Sequence, residues 1–370
     1  MKIIMIGALP ESLINFRGKL LQQMSESGFT VIAMAHSKNA SIAEQLKKIN
    51  VRYQHFIIKR NGLNPIIDFK TWFALYRYFK KENPDVIFAY TIKPIIWGGL
   101  ASRFRTNTRF YALITGLGFA FQEGNFIRNS LVKLVTNLYK IALKNADKVI
   151  FQNPDNLQVF VKKGIIDRNR CELVNGSGVD TLAFNYTSLP DSTETIFLTI
   201  GRLLGDKGFR EYAQAAEIVR NKHPQTKFLL QGPTDPSPDG ITLAEVETWE
   251  KTGNIEYLGA TSDVRPSIRS CHIFVLPSYH EGMPRTVLEA MAIGRPIITT
   301  DVSGCRETVI NGENGYLVPK ADANALAERM IWFIENQTQW ERMGKRSREL
   351  AEEKYDVHKV NAQLMEIMGL

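Results

Sequence analysis

Cysteine is scarce in the sequence, and its placement excludes two kinds of structural crosslink. Cys171, Cys271 and Cys305 lie far apart, and no Cys-x-x-Cys pair occurs. Such spacing matches neither a disulfide framework nor a structural zinc site. We therefore expect a fold held by its apolar core in a reducing cytoplasm, which 370 residues with 44% hydrophobic content can supply.

Long apolar runs are also missing. No stretch approaches the ~20 apolar residues that a membrane-spanning helix needs. The opening MKIIMIGALPESL does not qualify as a signal peptide, because Pro10 and Glu11 end its apolar run too early. The sequence predicts a cytoplasmic protein without a membrane span.

The common nucleotide- and metal-binding motifs do not occur. The sequence contains no G-x-G-x-x-G, no Walker loop and no Asp-x-Asp pair. We therefore expect no bound cofactor and no metal ion.

Charge is distributed unevenly along the chain. Residues 1–176 contain 26 Lys and Arg but 11 Asp and Glu, a net charge of +15, whereas the remainder carries −7. A strongly basic half predicts a polyanionic partner, either nucleic acid or an anionic membrane. Nucleic acid is disfavoured because no RRM, KH or zinc-finger pattern is present.

Short apolar runs alternate with helical patterns through the first half. The predicted strands are 2–7, 30–35, 51–58, 85–90, 109–115 and 148–153, and the predicted helices are 13–27, 40–49, 68–82 and 127–145. This alternation is typical of a parallel sheet with helices on both faces.

A segment rich in Gly, Ser, Thr, Asn and Pro interrupts the alternation, which then restarts. Further strands are predicted at 195–201, 227–232, 255–258, 272–277 and 295–300, followed by about 50 helical residues. We divide the chain into a first domain at 1–176, a hinge at 177–194 and a second doubly wound domain at 195–356. Ligands are expected in the cleft between the domains, beyond the carboxyl ends of the strands.

The stretch HEGMPRTVLEAMA (280–292) is the first candidate binding site. Pro284 is expected in the first turn of a helix, and Gly282 allows close approach of a ligand. The amides around 282–286 and the helix dipole suit a phosphate group. Glu281 and Glu289 are placed to accept hydrogen bonds from sugar hydroxyls beside it. For an isolated pair of glutamates, a loop carboxylate and a solvated helix residue would be the ordinary interpretation.

A second stretch, TIGRLLGDKG (199–208), follows the first strand of the same domain. Gly201 closes the strand, and Arg202 and Lys207 are placed to meet phosphate charge without a metal. The turn that carries Val264 occupies an equivalent strand end. A charged surface turn is the ordinary alternative.

Taken in order, these elements resemble the retaining GT-B glycosyltransferases of family 4. The matching pieces are Gly201-Arg202, Lys207-Gly208, Glu281 with Glu289, Gly294-Arg295-Pro296, Glu307–Gly315 and the hinge sequence VNGSGVD at 174–180. The resemblance covers nearly the whole chain. It implies an α/β fold of two facing Rossmann-like domains with an interdomain cleft, an acceptor on the first domain and a nucleotide-sugar donor on the second. The last helix, within 357–370, would return to the first domain.

The resemblance also implies roles for residues. Arg202 and Lys207 would hold the donor diphosphate and stabilise the leaving nucleotide, and Glu281 would bind the donor sugar; these three are the catalytic candidates. Glu289 would bind the ribose. The other donor-binding candidates are Gly201, Val264, Gly282, Met283, Pro284 and Arg285.

The acceptor side is matched more loosely. The elements NFRG, TIKP and TGLG resemble the branch that builds capsule, O-antigen and bacterial N-glycan precursors on undecaprenyl diphosphate, including transfer of N-acetylgalactosamine to a bacillosamine-type sugar. The acceptor-side candidates are Asn15, Arg17, Lys93, Thr115 and Gly116. Many family members carry a His where Thr115-Gly116 stands, so the role of that His has no direct counterpart here.

Two helices of the basic half suggest contact with a membrane. Lys133, Lys140, Lys144 and Lys148 are predicted to form one stripe opposite Leu134, Leu138 and Ile141. The helix at 68–82 mixes aromatic and basic residues, which suits a headgroup interface. An ordinary amphipathic helix is the alternative. Because the whole half is basic, we expect peripheral binding to the inner face of the plasma membrane.

Together these patterns predict a retaining, metal-independent glycosyltransferase. It would move a hexose or N-acetylhexosamine, with UDP-N-acetylgalactosamine among the donors, onto a sugar linked to undecaprenyl diphosphate in surface polysaccharide or glycan assembly. The alternative is a UDP-sugar epimerase on the same fold, which His280 beside Glu281 keeps open.

Overall fold

The computed structural model describes residues 1–59, 64–105, 107–117, 121 and 126–370. The chain forms two compact units. One is Met1–Ser177 together with Val360–Leu370, and the other is Gly178–Lys359. The first unit ends within one residue of the expected limit, whereas the second begins at Gly178 and not at 195. The substrate assigned to each unit stays a prediction.

The first unit is built on a parallel sheet. Its described strands run in the order β3-β2-β1-β4-β5-β6-β7. They are β1 (Lys2–Ile6), β2 (Thr30–His36), β3 (Arg52–Phe56), β4 (Val86–Tyr90), β5 (Arg109–Ile114), β6 (Lys148–Phe151) and β7 (Cys171–Leu173). Six of these were predicted, and the short β7 was not.

Helices cover both faces of this sheet. They are α1 (Pro10–Asn15), α2 (Gly18–Glu26), α3 (Ala40–Lys48), α4 (Pro65–Glu82), α5 (Ile92–Ser102), α6 (Phe126–Leu143) and α7 (Pro154–Lys162), joined by α14 (Val357–Met368) from the chain end. Alternate residues of β1 enter opposite cores: Ile4 and Ile6 pack in one, and Ile3 and Met5 in the other. The predicted doubly wound class is therefore confirmed for this unit.

The second unit repeats the architecture with the strand order β10-β9-β8-β11-β12-β13, every pair parallel. The strands are β8 (Ile196–Ile200), β9 (Lys227–Gln231), β10 (Glu256–Tyr257), β11 (Ile273–Leu276), β12 (Ile297–Thr300) and β13 (Gly315–Val318). The helices are α8 (Phe209–Lys222), α9 (Leu243–Lys251), α10 (Arg265–Ser270), α11 (Arg285–Ile293), α12 (Ala323–Glu335) and α13 (Trp340–Lys354).

The segment expected to be a hinge is part of the second unit from Gly178 onward. The buried Arg295 donates hydrogen bonds to the carbonyls of Thr187 and Ser188, each at 3.1 Å. Arg348 donates to the carbonyl of Thr181 at 3.0 Å. Two arginines thus bind a stretch whose composition alone suggested a free linker.

The lysine stripe of α6 differs from the expectation. Leu134 and Ile141 are each 47% exposed, so they do not form the buried face. At about 100° per residue, Leu134 lies beside Lys133 rather than opposite it. Lys148 is not on this helix at all; it begins β6 and pairs with Glu172 at 2.7 Å. Among the described residues, no helix is long and apolar enough to cross a bilayer.

Candidate active site

Two loops of the second unit meet at the carboxyl edge of its sheet. They follow the neighbouring strands β8 and β11, and hydrogen bonds join them. The amide of Tyr279 donates to the carbonyl of Asp206 at 2.8 Å, and the Ser278 hydroxyl donates to the same oxygen at 3.2 Å. This joining brings the two stretches singled out in the sequence, 199–208 and 280–292, into one site.

The charged centre of this site is an ion pair between Lys207 and Glu281. The Lys207 ammonium donates to the Glu281 carboxylate, and the side chains are 18% and 14% exposed. Burial acts to lower the pKa of Lys207, but the Glu281 carboxylate outweighs it and raises the pKa above its ordinary value. The site therefore holds a protonated lysine in a partly desolvated place, with its charge balanced by Glu281.

Two glycines make the close packing of these loops possible. Gly208 has φ +72°, and a Cβ there would lie 2.1 Å from the carbonyl oxygen of Pro277. Gly304 has φ +83°, and a Cβ would lie 2.5 Å from the carbonyl oxygen of Glu281. Any larger residue at either position would displace the loop that carries Glu281. The sequence did not indicate a role for Gly304, because its contact with the Glu281 loop, more than twenty residues earlier, leaves no local pattern.

Helix α11 starts directly after the Glu281 loop. Pro284 precedes the first helical residue, Arg285, as the sequence predicted to within one residue, so the positive end of the helix dipole lies at this loop. Glu289 is 6% exposed and accepts a hydrogen bond from Arg285 Nε at 2.8 Å. Burial raises the pKa of Glu289, and Arg285 opposes that rise. A solvated surface glutamate is thus excluded at this position.

Arg202 forms an ion pair with neither Glu281 nor Glu289. Its guanidinium pairs with Asp235, in the loop that follows β9. Asp239 of the same loop accepts a hydrogen bond from the amide of Asp206 at 2.8 Å. Sequence reasoning missed both aspartates, although the run GPTDPSPDG (232–240) is typical of a structured turn.

The remaining donor-side candidates line the same edge. Val264 immediately precedes α10, and the carboxylate of the adjacent Asp263 adds to the rise in the pKa of Glu289. Met283 packs on the core of the unit. A Cβ at Gly201 would lie 3.1 Å from the ring of Phe209, so this strand end tolerates little bulk.

A cavity of about 650 Å³ opens beside the Glu281 loop. Its lining includes Tyr279, His280, Asp301, Arg306 and Lys320. His280 Nδ1 lies 3.7 Å from a carboxylate oxygen of Asp206, and burial raises the pKa of Asp206 against the opposing effect of Lys207. The site thus contains an imidazole and a carboxylate near each other, but 3.7 Å is too long for a direct hydrogen bond between them.

The acceptor-side candidates follow three adjacent strands of the first unit, β1, β4 and β5. Asn15 is exposed at the end of α1, whereas Arg17 is 2% exposed with its guanidinium 5.3 Å from the ring centre of Tyr90. Lys93 pairs with Asp68 at 2.8 Å. The two cations are therefore held within the unit, and contact with an acceptor stays a prediction.

Thr115 and Gly116 follow β5 directly and are half-buried. Gly116 has φ +149°, a conformation that favours glycine over a residue such as His. Gly118, which completes the TGLG element, lies outside the described residues.

Two family models match the chain. The model "Glycosyl transferase 4-like" matches residues 13–153, and "Glycosyl transferases group 1" matches residues 186–350. Together they cover the second sheet, the first sheet except β1 and β7, and every candidate residue.

Curated relatives match over most of their length. The N,N'-diacetylbacillosaminyl-diphospho-undecaprenol alpha-1,3-N-acetylgalactosaminyltransferase of Campylobacter jejuni is 27% identical over 91% of this chain and 90% of its own. The UDP-Gal:alpha-D-GlcNAc-diphosphoundecaprenol alpha-1,3-galactosyltransferase of Escherichia coli is 26% identical over 73% of this chain and 71% of its own.

Solved structures agree on the fold. Sucrose-phosphate synthase from Thermosynechococcus elongatus superposes with a TM-score of 0.82 at 22% identity, covering 100% of this chain and 98% of that one. Anabaena HepE in complex with UDP-glucose gives a TM-score of 0.80 at 18% identity over 100% and 99% of the two chains. The chain therefore belongs to the GT-B glycosyltransferases, with a family 4-like first domain and a group 1 second domain.

Proposed function

We propose that this glycosyltransferase moves a hexose or N-acetylhexosamine from a UDP-sugar to a sugar carried on undecaprenyl diphosphate. The transfer retains the anomeric configuration and needs no metal ion. The Lys207 ammonium, held by Glu281 in the loop before α11, carries the proposal, because with the positive end of that helix it can take the place of a cation on a departing diphosphate. Relatives named for lipid-diphosphate acceptors support the acceptor class.

The proposed roles follow from the contacts. Lys207 and the dipole of α11 stabilise charge that develops on the UDP leaving group. Glu281 keeps Lys207 protonated and accepts a hydrogen bond from a hydroxyl of the donor sugar. Glu289 accepts a hydrogen bond from a ribose hydroxyl. Arg202 exchanges its contact with Asp235 for one with the diphosphate.

The site of action in this proposal is the inner face of the plasma membrane. The acceptor's lipid tail keeps the substrate in the bilayer, and the first unit carries the excess of positive charge. Surface polysaccharide or glycan-precursor assembly would consume the product.

Release of UDP tests the proposal directly. Purified protein is incubated in EDTA with each of a panel of UDP-sugars, with and without a short-chain undecaprenyl-diphosphate-sugar analogue, and the anomeric configuration of the product is read by NMR. Acceptor-dependent UDP release in EDTA with a retained anomer is expected. Release only after a divalent cation is added would refute metal independence. Interconversion of the UDP-sugar without transfer would favour the epimerase and the His280–Asp206 pair.

A further inference from the structure

Exposed apolar side chains gather on one helical layer of the first unit. Six of the fourteen large apolar side chains that are exposed in the described residues lie on α4, on α6 or just after α5. They are Ile66, Phe69, Phe73, Phe104, Leu134 and Ile141. Exposure of Phe69 and Phe104 exceeds 60%. Scattered apolar residues are ordinary on a surface, but a concentration of this kind marks a surface that contacts another apolar phase.

The aromatic members form a continuous patch rather than separate side chains. We name as the aromatic patch Ile66, Phe69, Trp72, Phe73, Tyr76 and Phe104. The rings of Phe69 and Phe73 lie 6.4 Å apart, and Phe104 lies 6.2 Å from Trp72 and 5.5 Å from Tyr76. A groove of about 690 Å³ runs through the patch, lined also by Pro65, Trp97, Leu100, Arg103 and Asn145.

Positive charge surrounds the patch. In the sequence stretches 65–82, 92–105 and 129–145, the basic residues are Lys70, Arg77, Lys80, Lys81, Lys93, Arg103, Arg105, Lys133, Lys140 and Lys144. The acidic residues of these stretches are Asp68 and Glu82. Asp68 is 4% exposed and paired with Lys93, and the Glu82 side chain is 10% exposed and paired with Lys2 and Arg52. These helices are therefore cationic on balance, and both of their carboxylates are already paired.

Contacts within the rim keep cations next to apolar groups. Arg77 lies over the ring of Phe73, 5.9 Å from its centre. On α6, Leu134 and Ile141 alternate with exposed lysines instead of facing away from them. Aromatic and aliphatic groups flanked by Lys and Arg match the boundary between acyl chains and anionic headgroups.

We infer that the aromatic patch inserts into the headgroup region of an anionic lipid leaflet, with the rim of lysines and arginines on the lipid phosphates. The inference rests on the proposed function, because a lipid-linked acceptor places the enzyme at that leaflet. It adds that apolar insertion by α4 and the end of α5, and not the lysines of α6 alone, holds the protein there.

Self-association explains the patch less well. A two-fold dimer through the patch would bring the same surface of two chains together. The cationic rims would then oppose each other with no exposed acidic residue in those stretches to separate them. The charge of the rim complements a phosphate-bearing surface and not a second copy.

Vesicle co-sedimentation tests the inference with the full chain. The variant Phe69→Ser/Phe73→Ser/Phe104→Ser is compared with Leu182→Ser/Leu243→Ser, which removes exposed apolar side chains of the second unit. With phosphatidylglycerol vesicles, the first variant is expected to lose roughly 100-fold in partition coefficient, because three apolar insertions are removed. The second should bind as the unaltered protein does. Equal binding by all three proteins would overturn the inference.

A charge-reversal arm separates insertion from simple attraction. Lys133→Glu/Lys140→Glu/Lys144→Glu should weaken binding to phosphatidylglycerol strongly at low salt and much less at high salt. The Phe69→Ser/Phe73→Ser/Phe104→Ser variant should bind these vesicles weakly at both salt concentrations. If only the lysine variant loses binding, the contact is electrostatic and the patch is not inserted. If the serine variant instead turns a dimer into a monomer in light scattering and still binds vesicles, the patch is a dimer interface.

Transfer to a water-soluble acceptor analogue distinguishes this inference from the proposed function. The triple-serine variant and the triple-glutamate variant should both release UDP at the unaltered rate in that assay, because none of their changed residues belongs to the candidate site. Loss of vesicle binding in a protein that transfers no sugar would leave the docking surface standing and refute the enzyme proposal. If the triple-serine variant transfers sugar and still binds vesicles as the unaltered protein does, the docking surface is refuted and the enzyme proposal stands.

Discussion

Lys207 is the residue on which the proposed chemistry depends most. Its ammonium is partly buried and kept protonated by Glu281, which lies in the loop before α11. Lys207→Ala should lower kcat by on the order of 10²-fold, since a contact that strengthens as the diphosphate departs is lost. Steady-state UDP release gives the value, and the melting temperature shows whether the variant is folded.

A matched control lies on the next helix. Lys222, exposed in the last turn of α8, gives Lys222→Ala the same change of charge away from the site. That variant should keep its kcat. If both alanine variants turned over like the unaltered protein, Lys207 would have no part in the reaction.

At the scale of residues, the sequence indicated which side chains to consider for the site but not which groups surround each of them. It brought out Lys207, Glu281 and Glu289 because their spacing repeats a known order. It did not reveal that Glu289 is buried against Arg285, or that Arg202 pairs with Asp235. Those facts depend on which loops meet, and such contacts leave no periodicity in the chain.

Helix α5 shows how much packing decides at the scale of elements. Its sequence IKPIIWGGLAS contains two glycines and a proline, so propensity does not indicate a helix. The helix forms because it is buried between α4 and α6, and its glycines allow close approach. The sequence likewise predicted one helix at 13–27, where the backbone of Arg17 separates α1 from α2.

The two glycines of α5 should respond differently to the same change. A Cβ at Gly99 would lie 2.6 Å from the backbone carbonyl of Ala142 on α6, whereas one at Gly98 would first meet a flexible methyl of Ile6 at 3.4 Å. Gly99→Ala should therefore destabilise the protein by about 1–3 kcal/mol. Gly98→Ala should be neutral or stabilise by up to about 1 kcal/mol, because alanine favours the helix. Thermal melts of both variants measure this, and equal melting temperatures would show that α6 moves away at no cost.

At the scale of the whole molecule, the chain crosses between its units twice. It passes from the first unit to the second after Ser177 and returns at Val360. The sequence marked the first crossing by its Gly- and Ser-rich composition. The return was expected from family resemblance alone, since a helix at the chain end has no local signal for the sheet it joins.

The returning helix completes the core of the first unit. Val360, Leu364, Met365 and Met368 are buried among side chains of β1 and β4, and the carbonyl of Met368 accepts a hydrogen bond from Arg109 at 2.9 Å. The last residues of the chain therefore contribute to a core formed mostly by the first half.

Leu364 lets this contribution be measured. Its side chain is fully buried, so Leu364→Ala should cost about 2–5 kcal/mol through lost burial and the cavity left behind. Glu366→Ala changes an exposed residue of the same helix and should cost little. Limited proteolysis should then cut the first unit faster in the Leu364 variant, while cleavage sites within Gly178–Lys359 keep their protection. Faster cleavage in the second unit instead would mean that the helix end stabilises the unit it leaves, and not the one it joins.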